Sequence, residues 1–94
     1  MTQTTAIVTT GNASRYLQQL CKHFAHKVQV EFTPEEGTVS LPFGTCHLSA
    51  DAEKLVLKAE AKRFAIGRME RFLGDHLARF AFRENPEITW HRAT

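Results

Sequence analysis

The sequence predicts an α+β fold, a two-layer sandwich in which an antiparallel sheet carries two helices on one face. The element order is β-α-β-β-β-β-α. Three observations predict it. Residues 13–25 and 61–80 each place apolar side chains at helical spacing. Between them, four strand-like segments follow one another across turns too short for parallel crossovers, so they must pair antiparallel. A 94-residue chain with 43% hydrophobic residues, seven of them Phe, can fill one two-layer core, which predicts a single domain over 1–94.

The elements follow in order. Thr4 to Thr9 reads as a short strand centred on Ile7 and Val8. Gly11-Asn12 interrupts it, and Asn12 is placed to cap a helix by accepting from backbone N–H groups two or three residues on. That helix is expected from Ala13 to Ala25. "VQVEF" alternates, with Val28, Val30 and Phe32 on one face. "TPEEG" is a turn built on Pro34 and Gly37. "TVSLP" turns Val39 and Leu41 inward, and Pro42 with Gly44 mark the next turn. "TCHLSA" turns Cys46 and Leu48 inward, and "EKLVLKA" turns Leu55 and Leu57 inward. The second helix is expected from Ala61 to Phe80. The tail "ENPEITWH" is expected to add a short strand or to pack Trp90 against the sheet edge.

The segment "RYLQQLCKHFAHK" places Cys21, His23 and His26 within six residues, which raises a metal site or a thiol–base pair. At about 100° per residue, Leu17, Leu20 and Phe24 form the apolar face with Ala13, and Cys21 borders it. His23 falls on the opposite shoulder, and His26 points away with Arg15, Gln19 and Lys22. Cys21 and His23 are therefore separated by roughly 200°. They can neither ligate one ion nor act as nucleophile and base within a helix. His23 and His26 have i,i+3 spacing and can hold a metal only with a third ligand from elsewhere.

In the second helix Ile66, Met69, Leu73, Leu77 and Phe80 form the apolar stripe, flanked by Phe72, with His76 in its middle. A histidine on a core face must find a partner or stay neutral. With Cys46 inward and Cys21 at the buried edge, Cys21, Cys46 and His76 are expected to converge, with a backbone carbonyl or the Tyr16 hydroxyl as a partner for His76. Such a group can be ordinary core, with the thiols acting as small hydrophobes. The other readings, behind that one, are a candidate ligand pocket lined by these residues and a redox or metal centre.

A second candidate site lies on the surface. Arg68, Arg71, Asp75 and Arg79 share a side of the second helix, and Arg71–Asp75 and Asp75–Arg79 have ion-pair spacing. Three arginines against one aspartate leave cationic charge for an anionic ligand or acidic partner, with His23 and His26 nearby on the first helix. Gly67, Gly74, Ala78 and Ala81 form a strip of small residues, which predicts a close contact within the domain or with a second subunit. The sheet's outer face, with Gln29, Ser40, Thr45, His47, Ser49 and Lys58, is polar.

The rest of the sequence narrows the function class. Twelve basic and ten acidic residues give a mixed surface, unlike the clustered charge of a nucleic-acid binder. "MTQTTAIVTT" lacks the basic and apolar regions of a secretory signal, and no apolar run approaches the ~20 residues of a membrane span. A cytoplasmic protein with reduced cysteines is expected. There is no glycine-rich phosphate loop, inward carboxylate pair or Ser/His/Asp arrangement. The reading is a non-enzymatic binding or accessory module without cofactor, for a protein partner or small ligand. The alternative is a small redox or metal-dependent protein using Cys21, Cys46 and His76.

The element order resembles the TATA-box-binding-protein-like topology. "SRYLQQLCKHFAHK" and "HLARFAFRE", with "GTCHL" and a late Trp90, resemble a bacterial family, domain of unknown function 2218. The similarity covers nearly the whole chain. It implies the fold and supplies no catalytic residue. Such domains occur beside or joined to siderophore-interacting flavin reductases, which implies an accessory part in iron acquisition and such a reductase as a partner. "KAEAKRFAIGRMERFLG" is more basic than the family pattern.

Overall fold

Alternation decides how the first strand, β1 (Thr2–Thr9), lies: Thr4, Ala6 and Val8 are buried while Gln3, Ile7 and Thr9 face solvent. In the computed structural model, which describes residues 1–93, β1 is followed by α1 (Ala13–Phe24), β2 (Gln29–Phe32), β3 (Glu36–Leu41), β4 (Gly44–Ala50), β5 (Lys54–Ala61), α2 (Ile66–Phe80) and β6 (Trp90–Ala93). The strands form one antiparallel sheet in the order β2-β3-β4-β5-β1-β6. The expected order is present, and the tail closes it as a sixth strand paired to β1.

Register places the apolar residues on one side. Val8, Ala6 and Thr4 lie opposite Leu55, Leu57 and Ala59, which continue to Leu48 and Cys46 and then to Gly37 and Val39. α1 packs over β2 to β5 and α2 over β5 and β1, both on that face. The α1 wheel holds: Ala13, Leu17, Leu20, Cys21 and Phe24 are buried, joined by Tyr16. Helix and sheet approach closely at Gly37 of β3, where a Cβ would stand 2.8 Å from Cys21 Sγ. Glycine there lets the cysteine edge of α1 sit directly on the sheet. No helix among the described residues is long and apolar enough to cross a membrane.

Two features differ from expectation, and a third falls on one of the two alternatives expected. α2 starts at Ile66 rather than Ala61, because Ala59 and Ala61 continue the sheet opposite Thr4 and Thr2. Alanines favour helix by propensity, and strand pairing overrides them. Asn12 occupies the cap position of α1 without capping it; its side-chain amide donates to Glu84 Oε1 at 2.5 Å instead. The small strip on α2 faces the tail of the same domain, at ordinary contact distance. A Cβ on Gly74 would meet Trp90 and Ile88, and one on Gly67 would meet Arg92, so the inward side chains of β6 and its approach lie along that strip.

Candidate functional site

Each of the four residues expected to form an inward pocket can be placed, and they do not meet in one cavity. Cys21 and Cys46 are in the closed core, both without solvent exposure and both free thiols. Burial pushes the Cys21 thiol up to about 11 and Cys46 up to about 12, the latter aided by Cys21. Both are protonated at neutral pH and so lack the thiolate that attacks or ligates. His76 is only half-buried, and so is not in the core. The physical reason is angular: His76 lies about 60° from the centre of the Ile66–Met69–Leu73–Leu77 stripe, on the side facing α1. Tyr16 is buried, but its hydroxyl donates to Glu84, not to His76.

Between the helices His76 belongs to an aromatic seam. His23 lies 5.3 Å from it between ring centroids, Phe24 5.1 Å and Phe72 4.5 Å. Phe80 joins through His23 at 5.7 Å, and Phe43 joins through Phe72 at 5.6 Å with its ring edge-on. Rings at these separations gain from edge and offset contacts beyond their area. His76 Nδ1 lies 2.7 Å from the Phe72 carbonyl oxygen. A carbonyl only accepts, so Nδ1 carries a proton, and a backbone carbonyl is the partner His76 uses. Burial holds His23 below the usual histidine range, helped by the charges of His76, Lys27, Arg79 and His26.

At one end of this seam the chain leaves α2 and turns back. Asn85 takes a left-handed conformation (φ 47°), which asparagine tolerates, and donates its N–H to the Ala81 carbonyl. The turn brings Glu84 onto the junction of β1 and α1. Thr10 Oγ1 donates to both of its oxygens at 2.8 and 3.1 Å, and Asn12 and Tyr16 donate to Oε1. Those donors, Tyr16 first, hold the Glu84 carboxyl below its usual range; the same bond, with burial, raises the Tyr16 hydroxyl. This latch leaves a groove of about 390 Å³ beside it. Arg15 and Gln19 of α1 form one wall, and Phe80, Phe82 and Arg83 form the other. Phe82 is 68% exposed. Gln19 Oε1 is shielded from solvent and has no hydrogen-bond partner among the described residues.

The expected surface site is dispersed. His26 is exposed, whereas His23 is half-buried in the seam. Arg68 lies over the Phe43 ring, 4.8 Å from its centroid. Arg71 and Arg79 are exposed, and neither pairs with Asp75; among the described residues the one ion pair joins Arg92 to Glu70. It is two-pronged, at 2.8 and 3.0 Å, and buried Thr4 also donates to Glu70 at 2.7 Å. The Arg92 bonds, then Thr4, hold the Glu70 carboxyl down against its partial burial. Among the described residues, no three His, Cys, Asp or Glu side chains converge as a metal-ligand set. Sequence reading missed Gln19 and Arg15 as wall residues, placing both in open solvent. It missed Glu84 and Arg83 altogether.

The family model for uncharacterized proteins conserved in bacteria, DUF2218, matches residues 5–91. The chain belongs to that family. The match contains α1, α2, the Glu84 latch and both walls of the groove. Among solved structures this DUF2218 chain is similar to the NMR structure of PA4090 from Pseudomonas aeruginosa, at 35% identity. The similarity covers 97% of this chain and 96% of that one with a TM-score of 0.81, so the fold is shared end to end. Comparison with curated proteins gives no match.

Proposed function

We propose that the domain is a non-enzymatic binding module that takes a small anionic ligand in the groove between α1 and the chain after α2. The observation that carries this reading is Gln19 Oε1. A shielded carbonyl oxygen without a donor costs about 1–3 kcal/mol. A ligand hydroxyl or amide donating to it would recover that cost, and the same wall offers the Arg15 guanidinium. Arg83 faces it, and the exposed Phe82 ring can cover an apolar plane. Two guanidiniums suit a carboxylate, which they can bind in a forked geometry. The complementary ligand is thus a planar carboxylate with a neighbouring hydroxyl. The resemblance to domains associated with siderophore-interacting flavin reductases supports iron chelators with carboxylate or phenolate oxygens as the first class to test. It also supports such a reductase as the protein to which the ligand passes. The redox or metal reading built on Cys21, Cys46 and His76 gains nothing from the geometry, since the thiols are protonated and enclosed and His76 lies apart from them.

The test is an NMR titration of the isotope-labelled chain with salicylate. Shifts are expected at the Gln19 side-chain amide and at Arg15, Phe82 and Arg83. Gln19→Leu and Arg83→Ala should each weaken binding at least tenfold in a folded protein. A response that both variants leave intact would sink the reading.

A further inference from the structure

The opposite end of the aromatic seam carries a second surface. The β3–β4 turn and the loop from β5 to α2 lie side by side because Gly44 pairs with Ala61 in the sheet. With Met1 they line an open hollow of about 440 Å³, whose walls include Leu41, Phe43, Gly44, Phe64 and Ala65. Phe64 is 86% exposed although its loop is tied by the Ala65 N–H to the Lys62 carbonyl at 2.8 Å. Lys62 lines the hollow, Arg68 lies over Phe43 in its wall, and Arg63 follows Lys62 in the same loop; all three are exposed, and none is ion-paired among the described residues. Among the described residues, no acidic side chain lines it. An apolar hollow with a one-sign charged rim is the signature of a recognition surface rather than of chance exposure.

We propose that this end of the sheet docks an acidic segment of a partner protein, one that inserts a single large apolar side chain between Phe43 and Phe64 while its carboxylates meet Lys62, Arg63 and Arg68. The hollow is concave and walled largely by aliphatic groups, which fits a side chain. A lipid surface would favour a convex apolar tip. A nucleic-acid strand would need several free ring faces for stacking. Here Arg68 already covers a face of Phe43, and Phe72 packs against that ring at right angles, so Phe64 is the more open ring of the hollow. The surface is small, so binding is weak and electrostatically steered.

The experiment titrates the labelled full chain with a pentapeptide holding a central Phe between paired Glu residues. A second peptide with central Gly, an oligo-dT strand and phosphatidylglycerol vesicles are titrated in parallel. The Phe peptide should shift the amides of Gly44 and residues 62–65, bind at least tenfold more tightly than the Gly peptide, and weaken as salt rises. Phe64→Ala, at an exposed site, should lower affinity about tenfold without altering the fold. Lys62→Glu with Arg63→Glu should abolish binding. Arg83→Ala, in the groove, should leave it unchanged, so the two surfaces are tested separately. Equal binding of the Phe and Gly peptides would overturn the proposal. So would no shift with either peptide, or a preference for the oligonucleotide or the vesicles.

Discussion

The two flanks of α2 are built by opposite rules. Toward β6 the helix presents Gly67, Gly74 and Glu70, and the tail fills that side with Ile88, Trp90 and Arg92. Both oxygens of Glu70 are bonded, to Arg92 and Thr4. Toward α1 the helix presents Phe72, His76 and Phe80, and in the groove beyond them one buried polar atom, Gln19 Oε1, has no partner among the described residues. Buried polar groups in a seam that exists for stability are expected to be paired. The contrast therefore separates a flank whose work is closure from one with bonding capacity to spare. Both proposed surfaces open at the ends of the second flank, near Phe80 and near Phe43.

The strongest way to break the comparison is to remove an anchor from each flank. Trp90→Ala takes a half-buried ring from beside Gly74 and should lower stability by about 2 kcal/mol, roughly half the figure for a fully buried Trp. In a domain of this size that lowers the melting temperature by roughly 10 °C, and amide exchange should speed up in β6 and at its β1 partners Gln3 to Ala6. Phe82→Ala, at the mouth of the groove, should stay within about 0.5 kcal/mol of the parent, as exposed sites do. Equal losses from the two variants would erase the distinction between the flanks.

What was legible in the sequence was what repeats at short range. The alternation of "VQVEF" and "TCHLSA" and the stripe of α1 fixed order, faces and core because side-chain direction is a local property of strand and helix. The family resemblance was legible in the same segments. The candidate site was not, for two reasons. Its latch joins Glu84 to Thr10, Asn12 and Tyr16 across 68 to 74 residues, and Glu70 to Thr4 across 66, where no spacing rule applies. Spacing instead suggested Asp75 as the partner of Arg71 and Arg79, and those pairs do not form, as is common for exposed ions. The second reason is that a wheel gives a residue's angle but not its neighbour. Arg15 and Gln19 point away from the sheet as expected, yet the chain after α2 returns over them and turns open surface into a wall.

A smaller effect sharpens the account of the closed flank. Glycine at 67 and 74 looked like a requirement for close approach. A Cβ at Gly74 would stand 3.6 Å from Trp90 Nε1 and 4.0 Å from Ile88, which is ordinary contact. Gly74→Ala should therefore fit and gain helix propensity, stabilising the protein by up to about 1 kcal/mol in denaturant unfolding. Gly74→Leu, whose branches must enter the space of Trp90, should reverse the sign. If alanine also destabilises, the flank is tighter than ordinary contact and its glycines are sterically required.

The smallest effect probes the open flank through pH. His23 is held below the usual histidine value of about 6.5 by burial first and by the charges of His76, Lys27, Arg79 and His26 next. Below that value the unfolded chain takes up a proton that the folded one resists. The contribution of His23 is thus fully present above about pH 6.5, falls as pH drops toward the lowered folded value, and is lost below it. His23→Gln removes this term, so the parent should lose more stability than the variant between pH 7 and pH 5, with the curves parallel above that window. Because the ring has solvent on one side, the difference in slope should be shallow. Parallel curves throughout would mean that the His23 ring is not held against His76, and the seam would then lose the contact that carries it from Phe72 to Phe80.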